Sequence, residues 1–126
     1  MNIFLYGFSN SGKTTIYNLI SKKHQNPSPN FTIDMEPTIG VSYVFDERLK
    51  VLKNFFPAKE EKFTQIQITD YLGVLKDSKH NKKIFNLALK SDIFLFVIRN
   101  FENEEVPSPL DEINPLKEFK LLSQEL

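Results

Sequence analysis

Apolar positions along the chain fall into short runs divided by polar, Pro- or Gly-containing stretches, and the spacing alternates between strand-like and helix-like. Ile3-Phe4-Leu5-Tyr6 marks a first strand over 2–6. Thr15-Ile16-Tyr17-Asn18-Leu19-Ile20 then opens a helix that runs to His24, where the imidazole complements the C-terminal end of the dipole. Residues 25–30 (Gln-Asn-Pro-Ser-Pro-Asn) read as a loop. Residues 38–45 alternate as a strand, and Asp46 caps a helix that continues through Phe56 until Pro57 stops it. A charged, hairpin-like connection at 59–62 leads to the clean alternation of 63–69. A Lys-rich loop at 76–83 precedes a short apolar helix over 84–91. Residues 92–99 are a near-continuous apolar run, the pattern of a strand buried on both faces. An acidic, Pro-containing loop at 100–111 leads to a last amphipathic helix over 116–126. The alternation predicts an α/β fold: a mostly parallel sheet flanked by helices on both sides, binding its ligand beyond the carboxyl ends of the strands.

At that end of the first strand lies Gly7-Phe8-Ser9-Asn10-Ser11-Gly12-Lys13-Thr14, a complete GxxxxGK[ST] pattern. A strand that turns through glycines into a helix aims several backbone N–H groups, and the positive end of the helix dipole, at one point. That arrangement cradles a phosphate chain. Asn10, Ser11, Gly12, Lys13, Thr14 and Thr15 are the predicted cradle. Lys13 reaches the outer phosphates as the candidate catalytic group, and the Thr14 hydroxyl sits on Mg²⁺. The plain alternative is an ordinary Gly-rich turn from strand to helix. An Mg²⁺–nucleotide site also needs a carboxylate at the end of a neighbouring strand. Asp70-Tyr71-Leu72-Gly73 supplies it directly after 63–69, with Asp70 toward the metal and the Gly73 N–H toward a terminal phosphate. Alone, this DxxG would be a simple turn; with the upstream loop it completes a site.

Composition narrows the chemistry. The chain has 126 residues, which predicts one domain, and 16 acidic residues balance 16 basic ones, so no global field draws it to nucleic acid or membrane. Arg48 and Arg99 are the only arginines, which argues against the multiple bidentate clamps of a small-molecule kinase. The absence of Cys fits a reducing, cytoplasmic setting, and no run is long enough for a transmembrane helix. The twelve Phe residues read as core packing. Val74 follows Gly73 where Ras-like enzymes place a water-orienting Gln, so hydrolysis is expected to be slow or to borrow a group. His80 is a candidate for that group; solvated surface is the plainer reading of a histidine flanked by Lys79 and Lys82.

Asn10 to Leu19, Glu36-Pro37 with Gly40-Val41, Asp46-Glu47-Arg48-Leu49, Asp70 with Gly73, and Arg99-Asn100-Phe101-Glu102 stand in one order along the chain. In that order and context the sequence resembles the YchF / Obg-like ATPase family, with Asp-Glu-Arg-Leu the most distinguishing piece. Asn114-Pro115 is similar to the family's Asp-Pro before its last matched helix. The resemblance implies part of a G-domain-like P-loop NTPase of the translation-factor class. It implies ATP or GTP as ligand, with ATP often preferred, action near ribosomes, and a hydrophobic residue where Val74 stands. In several GTPases with that replacement, an asparagine at the position of Asn10 helps bind K⁺; the alternative is that Asn10 only stabilises the turn.

Three departures accompany the resemblance. The family's Gly-rich loop is replaced by Lys76-Asp77-Ser78-Lys79-His80-Asn81-Lys82-Lys83. Asp34 falls where the family has a switch threonine, with Thr32 and Thr38 out of register. The family's helical insertion, base-recognising loop, further strands and C-terminal TGS domain have no counterpart in 1–126, so a single truncated domain is expected. The strand at 92–99 would then lie at a sheet edge, for another protein chain to cover. Two functional readings follow: Mg²⁺-dependent nucleotide binding with weak, partner-dependent hydrolysis, or a module that binds nucleotide without turnover. A degenerate fragment that binds little is the third.

Overall fold

The computed structural model describes residues 1–22, 36–75 and 79–125. His24, Thr32, Asp34 and the first part of the Lys-rich loop lie outside the described residues. The elements run β1 (Asn2–Tyr6), α1 (Lys13–Ser21), β2 (Thr38–Val44), α2 (Glu47–Phe55), β3 (Thr64–Asp70), α3 (Asn81–Ala88), β4 (Ile93–Phe96) and α4 (Pro115–Gln124). The strands form one sheet in the order β2-β3-β1-β4. β1 pairs in parallel with β3 and with β4, while β2 and β3 are antiparallel in full register from Thr38 opposite Asp70 to Val44 opposite Thr64. The mostly parallel α/β sheet expected from the sequence is therefore present.

Alternation along β1 divides the core into two layers. Phe4 and Tyr6, with Phe8 beyond them, face a cluster completed by Tyr71, Val74, Ile84 and Ala88 of α3, and Leu122 of α4. Leu5 faces the other way, into a cluster with Tyr17 of α1, Ile68 and Val97. α1 thus covers one face, and α3 and α4 the other. Burial of Phe4 and Leu5, each contributing roughly 1.5–3 kcal/mol, anchors β1 between the two layers. That anchoring holds the turn after Tyr6 on a rigid support.

Local chemistry explains the helix boundaries. Asp46 accepts from the Arg48 backbone N–H at 3.0 Å and caps α2 as expected. Asn114 accepts from the Lys117 N–H at 3.0 Å and Pro115 takes the first helical position, so α4 starts one residue before the expected Leu116. The third helix differs: it spans Asn81–Ala88, three residues earlier than its apolar pattern implied. The Asn81 carboxamide donates to the Leu75 carbonyl at 2.7 Å and accepts from the Leu75 N–H at 3.1 Å, fixing the first turn ahead of the apolar stripe.

Two expectations about burial are corrected. The fourth strand is short, and Ile93 and Leu95 are exposed, because α1 lies over β1, β2 and β3 and leaves that side of β4 open. β4 is one sheet edge among the described residues, as anticipated. The phenylalanines are not uniformly core. Phe4 and Phe8 are buried, whereas Phe45, Phe55, Phe56, Phe101 and Phe119 are exposed.

Candidate functional site

The turn between β1 and α1 is built by two left-handed residues, Asn10 at φ 62° and Gly12 at φ 99°. Gly12 takes that conformation without the Cβ clash other residues would incur, and its carbonyl accepts from the Ile16 N–H at 3.1 Å to start α1. No side chain caps this helix and its first turn holds no acidic residue. Its leading N–H groups and the dipole's positive end are therefore presented to an incoming anion.

Lys13, the first residue of α1, is only 6% exposed. Its Nζ donates to the Phe8 carbonyl at 2.8 Å, folding back across the loop. Burial lowers its pKa from 10.5 to about 8, opposed by the negative charges of Asp70 and Glu118. The adjacent Thr14 hydroxyl donates to Asp70 Oδ2 at 2.7 Å. Asp70 ends β3 next to β1, which brings together two residues far apart in sequence. Its second oxygen, Oδ1, is buried without a hydrogen-bond partner. Burial raises the Asp70 pKa, offset in part by the Thr14 hydrogen bond and the charge of Lys13.

An orphaned carboxylate oxygen beside a hydroxyl is a hard, oxygen-only donor pair, the kind Mg²⁺ takes when phosphates and water complete its shell. Among the described residues no group of three or more His, Asp or Glu side chains could hold a metal by itself. The donor set fits an ion shared with a phosphate ligand.

Gly73 is packed on the backbone of the loop. A Cβ there would overlap the Ser9 amide nitrogen and Cα. The next residue locks the contact: Val74 N–H donates to the Gly7 carbonyl at 2.9 Å, and Ser9 N–H donates to the Val74 carbonyl at 3.1 Å. The Val74 side chain lies in the core with Phe8, so it presents nothing to a nucleophilic water. His80 stands at the start of α3, its ring 6.3 Å from that of Tyr71. Ser11 is buried with an unpartnered hydroxyl, and Thr15 is exposed in the first turn of α1.

Several supporting groups had no role assigned from sequence. Asn10 is clamped from two sides: its Nδ2 donates to the Pro107 carbonyl at 3.1 Å, and its own carbonyl accepts from Arg99 Nη1 at 3.5 Å. Arg99 is buried, with its N–H donating to Glu118 Oε2 at 2.9 Å and its Nε donating to the Phe101 carbonyl at 3.1 Å. The available signal was that one of only two arginines follows an apolar strand, beyond reach of ordinary surface solvation. The role of the Phe8 carbonyl carried no side-chain signal at all.

The 50S ribosome-binding GTPase family model matches residues 2–123. The chain belongs to that family. Similar curated proteins include Obg-like ATPase 1 of Oryza sativa subsp. indica, 28% identical over 100% of this chain and 33% of the relative. The ribosome-binding ATPase YchF of Bacillus subtilis is 26% identical over 97% of this chain and 34% of its own length. YchF of Buchnera aphidicola is 24% identical, covering 97% and 35%. The resemblance to the YchF / Obg-like ATPases is thus borne out across the chain, which spans about a third of those relatives' length. A solved structure, NFeoB from S. thermophilus bound to GDP.AlF4⁻ and K⁺, is 26% identical at a TM-score of 0.48, covering 78% of this chain and 33% of that one. No helix among the described residues is long and apolar enough to cross a membrane.

Proposed function

We propose that this chain binds a purine nucleoside triphosphate, ATP or GTP, together with Mg²⁺, and hydrolyses it slowly, in a manner dependent on a partner. The observation that carries the reading is the Thr14–Asp70 hydrogen bond of 2.7 Å, with Asp70 Oδ1 orphaned next to a buried lysine on a phosphate loop. The backbone of Asn10, Ser11, Gly12, Lys13, Thr14 and Thr15 holds the phosphates, and the Gly73 N–H approaches the terminal one. The Lys13 ammonium leaves the Phe8 carbonyl for the outer phosphates and stabilises charge there. Thr14 and Asp70 would hold Mg²⁺, which when bound neutralises phosphate charge. Asn10 Oδ1 is the group that would serve K⁺, because its Nδ2 is committed to Pro107. A cytoplasmic protein near ribosomes, with another chain on the β4 edge, completes the reading.

Burial of Val74 favours a second reading, nucleotide-dependent interaction without turnover. Titration with ATP, GTP and their diphosphates, with and without Mg²⁺, separates the two when phosphate release is followed. Saturable Mg²⁺-dependent binding lost in Lys13→Ala, with release, supports the first. Binding without release, even with K⁺ and ribosomes present, supports the second, and no binding at millimolar nucleotide refutes both. Release unaffected by His80→Ala removes that residue as a catalytic group.

A further inference from the structure

Among the described residues the second sheet edge is β2, and the strand itself has none of the features that keep an edge from pairing. Thr38-Ile39-Gly40-Val41-Ser42-Tyr43-Val44 holds no charge and no proline. All seven residues are in register with β3, so no bulge turns the edge away. On the face opposite α1, Ile39, Val41 and Tyr43 are 55%, 39% and 64% exposed. Such an edge is a template for another strand.

We infer that β2 pairs antiparallel with β2 of a second copy of this chain, about a two-fold axis at Val41, to make one continuous eight-stranded sheet. The strand is self-complementary in that register. Val41 meets Val41, Ile39 meets Tyr43, and Thr38 meets Val44, so the three exposed apolar side chains that each copy carries on the face opposite α1 form a single six-residue stripe. Gly40, which lies against Tyr17 and Ser21 of α1, meets the small Ser42 on the other face. Just past the strands, Phe45 meets Pro37, and Glu36 meets Asp46, whose charge Arg48 already neutralises with an Nη2–Oδ2 contact of 2.7 Å. An isologous pairing uses the same patch twice and therefore closes as a dimer. Pairing over this length, with the flanking side chains, covers on the order of 500 Å² per copy, about 1,000 Å² in all, the lower bound of a specific interface. Dissociation is thus expected in the micromolar range. The inference does not depend on nucleotide binding.

The register makes it testable with single cysteines, since the chain has none of its own. Directly opposed residues have Cβ atoms about 5 Å apart, whereas Ile39 and its copy are four residues, about 14 Å, apart. Under mild oxidation Val41→Cys is expected to form a disulfide-linked dimer. Ile39→Cys alone is expected to stay monomeric, and Ile39→Cys mixed with Tyr43→Cys to form the mixed dimer. Sedimentation of the unmodified chain is expected to show a concentration-dependent dimer that Val41→Lys abolishes by opposing two like charges. A monomer throughout the micromolar range overturns the proposal. Equal cross-linking at 39 and 41 overturns the register. If Val41→Lys fails to fold, the cysteine pattern decides.

Discussion

The Lys13 ammonium gives the nucleotide-binding reading a quantitative test. Its Nζ spends one donor on the Phe8 carbonyl at 2.8 Å, and burial brings its pKa from 10.5 down to about 8 despite support from Asp70 and Glu118. A bound phosphate adds negative charge at the same group, so the pKa rises again in the complex and binding takes up a proton wherever the free protein has lost it. The sign follows directly. Affinity is full well below pH 8, is about halved at that pH and falls further as the pH rises through it. With a pKa of about 8, the charged fraction of the free protein drops from about three quarters at pH 7.5 to about one eleventh at pH 9. Kd should therefore weaken about eightfold, or about 1.3 kcal/mol, over that interval. Calorimetric titration of Mg²⁺–nucleotide at fixed salt across these pH values measures it. Lys13→Ala should bind weakly and without this dependence. Glu118→Gln, which removes a supporting charge, should move the midpoint to lower pH. A Kd that stays constant from pH 7.5 to 9, or a slope that survives Lys13→Ala, would refute the assignment of this ammonium to the phosphates.

Further outcomes follow from the same geometry. Because burial raises the Asp70 pKa, the folded state holds its proton more tightly than the unfolded one, and the ionised carboxylate costs the free protein stability that returns as pH falls. Asp70→Asn should thus leave thermal stability of the free protein unchanged or raise it by about 1 kcal/mol, while abolishing the extra stabilisation from Mg²⁺–nucleotide. Asp70→Ala should weaken Mg²⁺–nucleotide more than Mg²⁺-free nucleotide in a binding titration; equal losses contradict a metal role. Gly73→Ala forces a Cβ into the Ser9 backbone, and urea unfolding should register a loss of about 2 kcal/mol or more. Gly12→Ala meets only Phe101 Cε1 at 3.9 Å, an ordinary contact, and suffers chiefly the left-handed backbone, about 1–2 kcal/mol, so the two should rank in that order. Asn81→Ala removes both hydrogen bonds to Leu75 and should cost about 1–2 kcal/mol, with faster amide exchange at the start of α3.

The parts of this molecule that were legible in sequence are those whose causes are local. Period-two and helical spacing mark β1, β3 and α1, and the capping residue Asp46 marks the start of α2. Asp70 is legible because a phosphate loop calls for a carboxylate at a neighbouring strand end, and the clean alternation of β3 runs straight into one. The start of α3 was not, because it is set by Asn81 reaching back six residues to Leu75. The burial of β4 was not, because an apolar run does not state which neighbours will cover it. Arg99 and Glu118 meet across 19 residues, and neither advertises the other.

Val74 changes meaning most between sequence and structure. Sequence identifies it as a residue unable to orient water, which is a statement about what is missing. The structure gives it a positive role: its N–H and carbonyl bond to Gly7 and Ser9, while its side chain fills the core beside Phe8. Gly73 must then lie against the phosphate loop, and Leu75 is positioned to engage Asn81. The loop, residues 73–75 and the start of α3 therefore form one hydrogen-bonded run, without a polar side chain at Val74 to break it. A phosphate that displaces Lys13 from the Phe8 carbonyl acts on the first member of that run. Its effect should reach α3 as altered amide exchange in the wild type and be lost in Asn81→Ala. Nucleotide would then be read out as a structural change even where turnover is slow.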